Sequence, residues 1–289
     1  MVALAWDQVG EKFYETGVDH GVLYIPNSSG VYDMGYAWNG LVSVTEAPTG
    51  AESNKQYADN IVYLNLLSLE IFGGTIEAFT YPDEFGQCDG TAEPEPGILI
   101  GQQTRKSFGL AYRTKVGNDV DGPDHGYKLH LVWGAMASPS EKAYSTINDS
   151  PEAITFSWEF STTPMDVAGY KPTSSLVIDS TKANATALAT LEDMLFGTAG
   201  SDPDLPTPDQ VIALFAGSIT FVTPVAPTFV SATETITIPS VTGVIYKIDG
   251  EVVTGDVVIT EDTIVNAEPA SGYAFAVPYV DAWFFDYTP

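Results

Sequence analysis

The sequence predicts a mainly β protein, a larger β-sandwich or barrel followed by a small β-sandwich. Three observations carry that expectation. Short β-branched or aromatic runs bounded by Gly, Pro, Asn and Asp fill the first two-thirds of the chain. The run AITFSWEFSTT (153–163) alternates strictly, with Ile154, Phe156, Trp158 and Phe160 on one face and Thr155, Ser157, Glu159 and Ser161 on the other. From Thr228 onward, strand-like runs follow one another every ~8–12 residues, the rhythm of a small sandwich. At 289 residues and 44% hydrophobic content, the chain has ample material for packed cores.

Taken in order, the clearest strands are GVLYI (21–25), GLVSVT (40–45), NIVYLNLLSLEIF (60–72), GTIEAFTY (74–81), RKSFGLAYRTKV (105–116) and YKLHLVWGAM (127–136), before the alternating run. Two connections exceed a tight hairpin, Glu46 to Asp59 and Gln87 to Gly97. GNDVDGPDHG (117–126) reads as a hairpin end rather than a calcium loop. Asp119, Asp121 and Asp124 lack the EF-hand spacing, and Lys128 stands where the closing Glu belongs. Two helices follow. In residues 180–197, Leu188, Leu191 and Leu195 recur at helical spacing, Ser180 or Thr181 can cap, and Gly197 can terminate. In LPTPDQVIALF (205–215), Thr207 and Gln210 have capping-box spacing and Pro208 takes the first helical position. SITFVTP is a further strand. Two prolines in residues 224–227 then suggest a stiff linker, so the expected domains are 1–223 and 228–289, the second with an Asp249–Gly250 hairpin turn.

The charge is lopsided. Thirty-eight Asp and Glu against 11 Lys and Arg give −27. Beyond residue 224 nine carboxylates face Lys247 alone, a balance of −8 that leaves −19 for the rest, so both parts are acidic. Such a chain has no basic face to grip nucleic acid phosphates and no Lys/Arg cluster to hold an anionic membrane. No run approaches the ~18 apolar residues that would span a bilayer. MVALAWDQVGEKFYETG lacks a basic region before a long apolar stretch, so no secretory signal is expected and the sequons at Asn27 and Asn184 have little use.

Chemistry-bearing patterns are sparse. Cys88 is the only cysteine, which excludes an intrachain disulfide and a multi-thiolate metal site. His20, His125 and His130 show no HExxH or HxH spacing and read as solvated or structural. There is no GxSxG elbow, no GxGxxG after a strand and no GxxxxGK[ST]. Glu93 and Glu95 form an acid pair, but in a Pro-rich loop where water keeps both ionised. Tyr63, Tyr112, Trp133, Trp158 and Trp283 sit in strands and read as packing rather than a carbohydrate platform. No catalytic site, metal or cofactor is expected.

Several ordered segments together carry a resemblance. WDQVGEKFYETGVDHGVLYI (6–25), residues 35–85, GQQTRKSFGLAYRTKVGND (101–119), residues 124–164 and LPTPDQVIALF (205–215) resemble the major tail tube proteins of long flexible-tailed phages that infect actinobacteria. The similarity spans roughly residues 1–223. The terminal module resembles, in rhythm, the immunoglobulin-like decorations of such proteins. The resemblance implies a non-enzymatic virion protein, a β-sandwich with a flanking helix. Six copies close a ring, and rings stack around a tape measure protein, with tail terminator and distal tail proteins at the ends. DNA passes through the tube without specific binding, assembly takes place in the host cytoplasm, and an acidic wall limits DNA adhesion.

On that reading Glu70, Glu77 and Glu159, on the polar faces of long strands, are expected to line the lumen. Contacts between copies are assigned to the N-terminal arm, with Trp6, Phe13 and Tyr14, and to the loop from Glu46 to Asp59, with Glu52, Lys55 and Tyr57, long enough at roughly 3.3 Å per residue to reach an adjacent ring. The terminal module is expected to project outside the tube. The rival class is a secreted or surface β-sandwich adhesin for glycans or host surfaces, with an acid-pair hydrolase third.

Overall fold

The structure is a computed structural model that describes residues 4–147, 149–150, 152–217, 220–270, 272–275 and 279–287. It is mainly β, with 47% of residues in strands and 10% in helix. The chain divides into two compact units, Met1–Ala185 and Thr186–Pro289. Each has its own core.

The first unit is built on one eight-stranded sheet. Its strands are β1 (Tyr14–Tyr24), β2 (Gly35–Trp38) and β3 (Leu41–Glu46), then, after the short segments β4 (Thr49–Gly50), β5 (Ser53–Ala58), β6 (Ile61–Leu67) and β7 (Glu70–Ile71), β8 (Gly73–Ala78). Beyond β9 (Ala92–Glu95) and β10 (Ile98–Ile100) come β11 (Phe108–Asn118), β12 (Gly122–Ala137), β13 (Phe156–Thr162) and β14 (Ser175–Asp179). The sheet order is β2-β1-β11-β12-β13-β8-β3, with β14 also on β12. The pairings within it are antiparallel. The end strands β2 and β3 are consecutive in the chain and joined only by Asn39 and Gly40, so the sheet has to curl until its two ends meet.

Strand β12 supplies the bend that lets one sheet wrap a core. Residues 128–132 pair with β14 and residues 135–137 with β13. Between them Gly134 has φ +62°, and a Cβ there would lie 2.4 Å from the Thr163 carbonyl oxygen, so only glycine fits. The enclosed core centres on Trp158, whose ring lies 5.1 Å from Phe85, 5.1 Å from Tyr81 and 5.9 Å from Trp38, mostly edge-on. Leu23, Ile76, Phe108, Leu110 and Phe160 complete it. The alternation predicted for 153–163 is present from Phe156, with Trp158 and Phe160 buried and Glu159 and Ser161 exposed.

The second unit contains both predicted helices, α1 (Ala185–Phe196) starting at the boundary and α2 (Pro208–Phe215). Leu188, Leu191 and Leu195 form the buried stripe of α1, and Gly197, at φ +73°, follows its end. Ser180 and Thr181 do not cap it. Ser180 Oγ accepts from the Tyr127 N–H, and Thr181 closes a turn on Asp179. The capping box of α2 is formed in both directions between Thr207 and Gln210.

A sandwich follows, of a three-stranded sheet, β16 (Thr228–Val230), β17 (Thr235–Ile238) and β20 (Gly255–Val258), and a four-stranded one, β19 (Glu251–Val253), β18 (Val244–Ile248), β21 (Thr263–Pro269) and β23 (Ala282–Phe285). Ile236, Tyr246, Val265 and Phe275 lie in its core. Asp249 and Gly250 make the expected turn, both at positive φ.

The division between the units falls before the helices and not at the prolines where the sequence suggests a linker. Pairing explains the difference. β15 (Thr220–Val222) runs parallel to β22 (Tyr273–Phe275), and the Tyr246 hydroxyl donates to the Val225 carbonyl at 2.7 Å while accepting from its N–H at 3.0 Å. The proline segment is therefore tied to the sandwich. Residues 186–223 belong with the terminal module.

Candidate functional site

The segment from Ala47 to Phe72 is a projecting β-ribbon, where the sequence predicts a polar loop and then a core strand. Its base continues the β3–β8 pair, with Glu46 opposite Gly74 and the Ala47 N–H donating to Gly73 O at 2.7 Å. β4 then pairs with β7, and β5 with β6. Gly50 allows the kink between the two parts, since at φ +91° a Cβ would meet the Leu69 carbonyl at 2.1 Å. Ser68 Oγ accepts from the Glu52 N–H, and Ser53 Oγ donates to Asn65 Oδ1. Asp59 and Asn60, with φ of +52° and +63°, turn the tip, a pair suited to a two-residue hairpin.

Every residue of β5 and β6 is exposed. That is expected for SNKQYA and unexpected for IVYLNLL. Ile61 is 62% exposed, Tyr63 64% and Leu67 70%, so Tyr63 is not the packing residue the sequence suggests. An apolar strand open on both faces is an association site unless something covers it. Removing each such side chain from water is worth about 1.5–3 kcal/mol.

The expected contact residues of this segment divide in two. Glu52, Lys55, Tyr57 and Asp59 lie on the ribbon and face solvent. Glu46 is held at its root, where Oε1 accepts from the Tyr112 hydroxyl at 2.5 Å and lies 3.1 Å from His130 Nδ1. The carboxylate requires the proton on Nδ1, which leaves Nε2 of the neutral ring to accept from the Thr114 hydroxyl at 3.0 Å. The Tyr112 and His130 rings stack at 4.6 Å. His130 is thus a structural histidine, and Glu46 anchors the ribbon from within the fold.

The His130 hydrogen bond, helped by that from Tyr112, holds the Glu46 carboxyl below its ordinary 4.5 against the opposing effect of burial. Asp19, in an ion pair with Arg113 at 2.7 Å, is lowered in the same way. A depressed folded-state value means that the ionised group stabilises the fold fully above its unfolded value and loses this as pH falls through the folded one. Glu46→Gln is expected to lower stability by about 1 kcal/mol at pH 7, the worth of a charged hydrogen bond discounted for a partly exposed group. The gap between variant and parent should close towards pH 3, read from urea unfolding midpoints. An equal gap at both pH values would refute the assignment.

The N-terminal arm is exposed, as its composition suggests. Trp6 is 74% exposed, with Leu4, Val9 and Phe13 also open. The arm is clasped at Gly10 and Lys12, whose N–H groups donate to Asp119 Oδ1 at the β11–β12 turn. That turn is the hairpin end read from the sequence, with His125 Nδ1 2.8 Å from Asp121 and its ring 5.3 Å from Phe13. Phe13 and Tyr14 wall an open groove of about 360 Å³ with Val116, Lys128 and Lys182.

A second apolar projection was not foreseen. The connection read as a Pro-rich loop contains the hairpin β9–β10, on which Ile98, Leu99 and Ile100 are exposed. The signal available was the Pro96–Gly97 turn ahead of that triplet. Its root is rigid, because Asp89, nearly buried, binds Arg105 at 3.3 Å and Lys142 at 2.6 Å.

Of the three acids expected to line a lumen, the fold brings two together. Glu77 and Glu159 lie on one face, diagonal across β8 and β13, since Glu159 pairs with Thr75 and Ser157 with Glu77. Ser43, which donates to Glu77 at 2.9 Å, and Thr45 extend that face onto β3. Glu70 lies apart on the ribbon. Among the described residues no group of three or more His, Cys, Asp or Glu is arranged to hold a metal ion, and no helix is long and apolar enough to cross a membrane. Cys88 is buried, and desolvation pushes its thiol up to about 12. No family model matches the chain, and no curated protein matches its sequence.

Proposed function

We propose that this chain is a self-assembling structural protein, the subunit of a phage tail tube, and not an enzyme. The observation that carries the reading is the ribbon of residues 47–72, which displays an apolar strand that none of the described residues covers. A monomer would gain nothing from such a feature, whereas a subunit gains its contacts from it. The resemblance to tail tube proteins supplies the geometry: six copies close a ring, and repeated ring-on-ring contact generates an open filament.

The partners are then other copies of this chain, a tape measure protein inside the tube, and terminator and distal proteins at its ends. The face holding Ser43, Thr45, Thr75, Glu77, Ser157 and Glu159 suits a lumen, for it offers hydroxyls and carboxylates without a cation. Counterion release, which holds DNA to basic proteins, has nothing to act on there. Such a wall lets DNA slide during ejection.

Electron microscopy of the purified chain, at rising concentration in about 1 M salt to screen the −27 charge, tests the reading. Stacked rings or tubes are expected. Particles that are closed dimers or isolated sandwiches, with binding to glycan surfaces instead, would favour the adhesin.

A further inference from the structure

The register of the ribbon gives it two sides with separate requirements. Partners across a hairpin project to the same face. Ser53 with Leu67, Lys55 with Asn65 and Tyr57 with Val62 therefore make one face, and Asn54 with Leu66, Gln56 with Leu64 and Ala58 with Ile61 make the other. The register shift between Gln56 and Tyr57, which leaves Tyr63 as the extra residue, moves Val62 away from Leu64. The result is three large apolar side chains on each face, Tyr57, Val62 and Leu67 against Ile61, Leu64 and Leu66, with Tyr63 at the bulge, all seven exposed.

Three side chains, each between about half and 70% exposed, fall well short of the ~800 Å² that one partner contributes to a standard interface. One face alone is too small for a stable contact, and the two together approach one. A strand that is apolar on both sides has the composition of one buried on both sides.

We propose that in the assembly each ribbon is clamped between two other copies of this chain, one on each face, so that a single element holds three subunits together. This rests on the self-assembly reading and deepens it. A second copy is the occupant for two reasons. The same unit displays two further uncovered apolar segments, Leu4, Trp6 and Val9 on the N-terminal arm and Ile98 to Ile100 on β10, which supply an acceptor for each face. Lys55, the only cation of the ribbon, meets an abundance of carboxylates on any other copy, Glu93 and Glu95 beside Ile98 among them.

Two triple variants of the full chain test this: Tyr57→Thr, Val62→Thr, Leu67→Thr on one face, and Ile61→Thr, Leu64→Thr, Leu66→Thr on the other. Neither set touches the core, so circular dichroism and thermal unfolding of the monomer should match the parent. Each set alone is expected to raise the concentration needed for assembly, followed by sedimentation in about 1 M salt, on the order of a hundredfold. If either triple assembles at the parental concentration, one face suffices and the proposal is wrong. A parent that stays monomeric at about 1 mM overturns it as well. Parental assemblies other than stacked rings, still lost in both triples, would leave the two-faced clamp standing and remove only the tail tube reading.

Discussion

A chain in which residues 48–71 are replaced by Asn-Gly is expected to fold, to melt close to the parent and to stay monomeric where the parent assembles. The join is short because Glu46 already lies opposite Gly74, and Ala47 is bonded to Gly73, so Asn-Gly with the retained Phe72 makes a three-residue connection that closes the β3–β8 hairpin at its base. Phe72, which packs against the core, is retained, and no core residue is removed. Unfolding free energy should therefore change by no more than about 0.5 kcal/mol, as for surface changes away from packed features. Assembly loses the exposed apolar side chains of both ribbon faces, the largest uncovered apolar feature from which an interface could be built. Removing only residues 47–57 would be a poorer experiment, because it deletes β5 and leaves β6 apolar and unpaired. Rings or tubes from the ribbonless chain, seen at parental concentration by sedimentation and microscopy, would show that the contacts lie elsewhere.

The largest expected loss of stability comes from Trp158→Ala. Trp158 is fully buried among Trp38, Tyr81, Phe85 and Phe156, and its strand is the one that joins β12 to β8. Truncation removes the ring and leaves a cavity that rigid aromatic neighbours cannot collapse, at a cost of about 3–5 kcal/mol. The indole N–H has no hydrogen-bond partner among the described residues, so the change relieves one unsatisfied donor and the cost should fall towards the lower end of that range. Equilibrium denaturation of the first unit reads it. A loss under about 1 kcal/mol would mean that this cluster is not the centre of the core.

Much of this architecture was legible where local chemistry and tertiary context agree. The strict alternation through Trp158 and Phe160, the Thr207–Gln210 box and the Asp249–Gly250 turn each appear as read, because each is decided by residues close in sequence. The ribbon was misread for a physical reason. An apolar run such as IVYLNLL is normally core, a polar one such as SNKQYA normally loop, and nothing in periodicity records that the surface covering them lies outside the chain. The Asp59–Asn60 pair between the two runs was the available hint of a hairpin. Residue roles suffered likewise. Glu46 is expected at an intermolecular contact; its role at the root of the ribbon is not legible, because its partners Tyr112 and His130 are 66 and 84 residues away, a separation that no local pattern encodes. The same holds for the segment 224–227, tied down by the Tyr246 hydroxyl on Val225, 21 residues away, beside a strand pairing of residues 220–222 across some fifty residues.

A tail tube subunit closes into a ring through contacts with its own copies. Native mass spectrometry of the full chain, taken from high salt at a concentration just below filament formation, measures that directly. A dominant species of six 30.9-kDa chains, about 185 kDa, is expected, and it disappears when residues 48–71 are replaced. A single species at 30.9 kDa at every concentration, or a ring of unchanged mass in the ribbonless chain, would contradict it.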